Sequence, residues 1–192
     1  KGMRAHDLGS VVVKEAIKKS NLLPSDIDEL IMGQVLTGGT GQNPARQAAI
    51  NAGIPIEKSA YLINQVCGSG LRSVAAGYQS IKSEDLNIVI TGGQESMTNA
   101  LHAINFRNSK KLEEKNLIDM MIKDGLWDVF NGYHMGVTAE NVASKWQITR
   151  KDQDDYALSS QHKTEKAHKE GKFKNEIIPV LLKSNNENNK FE

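Results

Sequence analysis

Cys67 is the only cysteine in the chain, and it sits inside "YLINQVCGSGLRSVAAG", residues 61–77. An apolar run ends just before it and a helical pattern starts just after. A thiol at such a junction lies near unpaired backbone N–H groups and the positive end of a helix dipole, a setting that favours thiolate. Gly68 and Gly70 carry no Cβ, so a substrate can approach the backbone closely. The N–H of Cys67 itself can then face an acyl oxygen as negative charge develops on it. The plain alternative is that Cys67 is a small buried hydrophobe.

Other chemistries that share these glycines fit less well. Gly68, Gly70 and Ser73 give G-x-G-x-x-S after a strand, close to a dinucleotide fingerprint. The third small residue is missing, however, and the next strand ends in glycines where the ribose-binding acid belongs. "CGSGL" does not make G-x-S-x-G, and "TGGTGQNP" has no G-K-[ST], so neither a serine-hydrolase elbow nor a P-loop is present. Of the five histidines, His162 and His168 lie on a charged helical stretch at a spacing poor for a shared metal ligand. His6 and His102 have no informative context, and His134 in "GYHMG" reads on its own as part of a packed hairpin. No metal site is expected.

The chain has 192 residues, 39% hydrophobic and 24% charged, with a formal net charge of +1. Such a balance gives no argument for nucleic acid as a partner. One cysteine excludes an internal disulfide and fits a reducing, cytoplasmic setting. No apolar run reaches the length of a membrane span.

The elements that must hold Cys67 follow from periodicity. A helix is expected over residues 7–20, with Leu8, Val12 and Ile17 inward and lysines in its last turn. Strands are expected at 29–36, 59–66, 86–93 and 175–183. Pro44 opens an alanine-rich helix that stops at Gly53. A helix from Gly68 to Ser83 should turn Leu71, Val74, Ala75, Tyr78 and Ile81 inward. Strands alternating with helices predict a layered α/β sheet with parallel pairs. Residues 98–135 show no period-2 pattern and read as an elaborated loop region; Met97, Met120, Met121 and Met135 cluster loosely, with core filling as their plain account. Two helices follow, one from Thr138 and one from Thr149 to Gly171, the latter opened by a Thr149–Asp152 capping box. "KSNNENNK" (183–190) reads as a solvated loop.

Four stretches in order, "GQVLTGGTGQNPARQAAINAGIP", "NQVCGSGLRSVAAGYQSI", "TGGQESMTNA" and "GYHMGVTAENVASKW", resemble the thiolases, and most of all their biosynthetic acetyl-CoA acetyltransferase branch. The resemblance implies two similar α/β halves stacked as α-β-α-β-α layers. This chain would supply the first half without its opening strand (1–96) and part of an inserted loop domain (97–192), with the C-terminal catalytic half absent. It implies that Cys67 accepts an acyl group, and that Leu126, His134 and Met135 line a slot for the pantetheine arm. A histidine, an asparagine and a second cysteine that complete such sites belong to the second half. The implied reaction is condensation of two acetyl-CoA to acetoacetyl-CoA, or its reverse, with coenzyme A thioesters as substrates and no further cofactor. The stretch "INFRNSKKLEEKNLIDMM" would be an inter-subunit loop of a tetramer. Alternatives are a non-catalytic acyl-CoA-binding or assembly module, a longer-chain degradative 3-ketoacyl-CoA thiolase, and a ketoacyl synthase, whose cysteine turn lacks this pattern.

Overall fold

A computed structural model describes residues 2–105, 107, 117–183 and 188–191 of the chain, which divides into two compact units. The first comprises Lys1–Gly125 with Leu182–Asn189, the second Leu126–Leu181 with Lys190–Glu192.

The first unit carries α1 (Ala5–Lys19), β1 (Glu29–Gly33), α2 (Pro44–Ala52), β2 (Ser59–Ile63), α3 (Ser69–Lys82) and β3 (Val89–Gly93). The strands form one parallel sheet in the order β2-β1-β3, with Leu30 paired to both Ala60 and Ile90. The central strand is covered on both faces, and so its residues "LIM" form an unbroken apolar run rather than an alternating one. Leu30 and Met32 pack into a core with Val13 and Ile17 of α1, Ile27, and the alanines of α2. Those alanines let α2 lie close to its neighbours. Asn43 caps α2, its Oδ1 accepting the Arg46 N–H at 3.0 Å.

Ile31 is fully buried too, yet belongs to the other face of the sheet, where α3 packs. Gly33 shares that face by the strand's two-residue period. A methyl group at Gly33 would stand 2.4 Å from the Gly70 nitrogen, and one at Gly77 would stand 2.5 Å from Thr91 Cγ2. Helix and sheet therefore meet almost backbone to backbone.

This close approach reverses one expectation. The buried residues of α3 are Ser69, Ser73 and Gly77, a narrow stripe four residues apart, and Ser73 Oγ donates to Gly92 O at 2.7 Å. Leu71, Val74, Tyr78 and Ile81, expected inward, are all exposed. In α1, likewise, Val12 is exposed and Val13 takes the core position.

The loop region contains two small antiparallel pairs. β4 (His102–Ala103) pairs with β5 (Ile118–Asp119), and β6 (Trp127–Asp128) pairs with β7 (Tyr133–His134). Such two-residue strands are too short to leave a period-2 signature. In the second unit, α4 (Met135–Lys145) starts three residues before Thr138, and α5 (Arg150–Lys169) has the expected Thr149–Asp152 capping box. Neither helix has a buried residue. β8 (Val180–Lys183) pairs with β9 (Asn188–Phe191), so the end of the stretch read as a solvated loop is a strand, while 184–187 lie outside the described residues. So does most of the expected inter-subunit loop, at 106 and 108–116. Among the described residues, no helix is long and apolar enough to cross a membrane.

Candidate active site

Cys67 stands between β2 and α3, in the first unit, and is exposed. The turn that carries it is closed by side chains. Val66 N–H donates to Asn64 Oδ1 at 3.0 Å, Gln65 N–H donates to Ser69 Oγ at 2.8 Å, and Ser69 Oγ donates to Val66 O at 2.6 Å. Gly68 N–H reaches Gln65 O and Ser69 N–H reaches Val66 O, at 3.0 and 3.1 Å. Among the described residues, no backbone acceptor engages the N–H of Cys67, which sits just before the first turn of α3. Thiol and free amide donor are thus presented on one residue at a helix mouth, an arrangement suited to attack on an acyl carbon with charge developing on its oxygen.

At the C-terminal end of the same sheet, Glu95 Oε2 accepts the Val35 N–H at 2.9 Å and the Leu36 N–H at 3.3 Å, tying the segments after β1 and β3 together. A cavity of about 260 Å³ opens nearby, between the N-terminus of α1, loop 36–40 and residues 96–101. Cys67 is not among its lining residues.

Leu126, His134 and Met135 all belong to the second unit. Trp127 pairs with His134 across the hairpin; Leu126 is the residue before β6 and Met135 the first residue of α4. Leu126 and Met135 thus flank the Trp127–His134 pair in sequence on the two sides of the hairpin. Leu126 and His134 are half-buried and Met135 is exposed. His134 is also the N-cap of α4. Its Nδ1 accepts the Gly136 N–H at 2.9 Å, which leaves the proton of a neutral ring on Nε2 as a donor.

His6 was uninformative as sequence and is unusual as structure. It is fully buried on α1, and among the described residues neither ring nitrogen has a hydrogen-bond partner, Asp7 Oδ1 standing 3.7 Å from Nε2. Burial first, then the nearby Arg4 charge, pushes its pKa below the ordinary histidine value. The signal missed was its position three residues before Gly9, on the face that α1 turns to α2. Two of the other histidines have local partners: His102 Nε2 lies 3.8 Å from Asp119 Oδ2, and His168 packs on Phe173 with ring centroids 5.1 Å apart. Among the described residues, no group of three or more His, Cys, Asp or Glu is placed to hold a metal ion.

The family model for the thiolase N-terminal domain matches residues 1–192. The chain belongs to the thiolase family. Its fold is the α/β thiolase fold: a thiolase from Ascaris suum, solved with coenzyme A, superposes with a TM-score of 0.88 at 41% identity, over 93% of this chain and 46% of that one. An acetyl-CoA acetyltransferase of Paracoccus denitrificans is 54% identical over 180 residues, 94% of this chain and 46% of that protein. A probable acetyl-CoA acetyltransferase of Escherichia coli K12 is 50% identical over 185 residues, and the cytosolic acetyl-CoA acetyltransferase of Mus musculus is 46% identical over 179. This thiolase chain spans a little under half the length of these relatives, 45–47%.

Proposed function

We propose that the complete protein is an acetyl-CoA acetyltransferase working by covalent transfer through Cys67. The Cys67 sulfur attacks the thioester carbonyl of acetyl-CoA. A sulfur–carbon bond to Cys67 forms, the bond to coenzyme A breaks, and the cysteine proton leaves with the coenzyme A thiol. The methyl carbon of a second acetyl-CoA, deprotonated by a base supplied from outside these residues, then attacks the acetyl-cysteine. This step gives acetoacetyl-CoA and returns the thiol. Thiolysis of acetoacetyl-CoA is the reverse. The thioesters are substrates, and no further cofactor takes part.

The observation that carries this reading is the exposed Cys67, whose N–H has no acceptor among the described residues, in a chain about half identical to proteins named acetyl-CoA acetyltransferases. Leu126, His134 and Met135 form the seat for the pantetheine arm: two apolar side chains grip the thin chain and the Nε2 proton of His134 serves an amide oxygen. The outward apolar face of α3 is the docking face for a second α/β half, which supplies the base. A cytoplasmic, tetrameric enzyme of lipid metabolism is the whole-protein form of this proposal. Without the second half, residues 1–192 are expected to show no turnover.

The test is incubation of the complete protein with acetyl-CoA, followed by mass mapping. An acetyl group on the Cys67 peptide, and loss of activity in Cys67→Ser, support the reading. An unmodified peptide, with activity surviving that substitution, overturns it.

A further inference from the structure

Val66, the residue before Cys67, has φ 47°, in the left-handed region. A β-branched residue rarely goes there, because its Cβ substituents crowd the flanking carbonyls. The other non-glycine residues with positive φ among those described are Asn21, Asn43, Glu84 and Gln147. None is β-branched. Asn21, Glu84 and Gln147 follow helix ends, where a left-handed residue closes the helix. Val66 instead takes the chain from β2 into α3, and an asparagine or glycine would make that bend with less strain.

What holds the bend is Ser69. Its side chain is buried, at 4% exposure, and its hydroxyl both accepts from Gln65 N–H and donates to Val66 O. Asn64 Oδ1 takes the Val66 N–H, and Gln65 O takes that of Gly68. Every backbone polar group of Gln65 and Val66 is therefore engaged within the turn. Among the described residues, the N–H of Cys67, beside an exposed thiol, is the first in this turn with no hydrogen-bond acceptor.

We propose that Val66 and Ser69 are positioning residues for acyl transfer, the strained bend at Val66 and the buried Ser69 clamp together presenting the sulfur and the N–H of Cys67 to one acyl group. The proposal rests on the reading of Cys67 as acyl acceptor. Its signature is an opposition between stability and rate, because strain held at a working site costs the fold and serves the chemistry.

The experiment measures single-turnover acetylation of Cys67 by acetyl-CoA, with the thermal midpoint, in the complete protein. Val66→Asn is expected to raise the midpoint yet slow acetylation on the order of 10- to 100-fold, through a misplaced nucleophile. Ser69→Ala is expected to slow it comparably, and Ser69→Thr, which keeps the hydroxyl, to recover most of the rate. A Val66→Asn protein that is more stable and equally fast overturns the proposal. So does a Ser69→Ala rate that falls only with the folded fraction. Wild-type Cys67 that takes no acetyl group at all overturns the acyl-acceptor reading, and the proposal with it.

Discussion

A buried histidine that cannot hydrogen-bond resists protonation, and His6 is such a group. Its folded pKa lies below its unfolded value of about 6.5, so above that pH both states are neutral and stability does not change. As pH falls below about 6.5 the unfolded chain takes up a proton the folded chain refuses, and stability is lost until the depressed pKa is reached. Asp7 acts in a separate, more acidic window. The Arg4 guanidinium, hydrogen-bonded to its carboxylate, holds that pKa below the usual carboxylate value near 3.8, and its contribution is lost as pH falls further. Urea titrations between pH 7.5 and 5 are expected to show a falling midpoint in the natural protein and a flatter profile in His6→Leu. An equal slope in both would place the titration elsewhere. In "MRAHDLG" only the helical spacing of His6 to Gly9 hints at this. Burial of His6 follows from how α1 is turned against α2, which neighbouring residue types do not encode.

At the scale of elements, the contact between α3 and the sheet is set by residues that lack side chains. Gly33→Ala would drive a methyl group into the Ser69–Gly70 backbone at 2.4 Å, and backbone cannot swing aside as a side chain can. We expect a loss of about 1–3 kcal/mol, read from urea unfolding, together with a displaced start of α3 and slower acetylation of Cys67. The elements themselves were largely legible. The three strands, the Pro44 helix and the Thr149 capping box fall within a few residues of expectation, because apolar runs, proline and capping chemistry act locally. The face of α3 was not legible. Hydrophobic periodicity reports which residues avoid water, not which surface they meet, and a helix with a small stripe on one side and large apolar residues on the other has two faces to cover. The small one, Ser69, Ser73 and Gly77, was the one that met the sheet.

Across the whole molecule, the apolar surface left open is large. Leu71 is 78% exposed and Tyr78 62% on α3, and Phe130 is 95% exposed at the tip of the β6–β7 hairpin. Surfaces of this kind on a water-facing chain mark sites of assembly. Leu71→Lys should leave the stability of residues 1–192 within about 0.5 kcal/mol, as for other exposed positions. In the complete protein, if a second half covers that face, the same change should destabilise by about 1.5–3 kcal/mol, from apolar area no longer buried. Equal midpoints in both settings would show that nothing docks there. The sequence by itself determined the alternation of strands and helices, the family, and the candidate residues Cys67, Leu126, His134 and Met135, since motif order and local propensity survive without coordinates. Only the tertiary structure decided the left-handed turn at Val66, the Ser69 clamp, the capping role of His134 and the burial of His6. Each of these depends on distances between segments, and those exist only once the chain has folded.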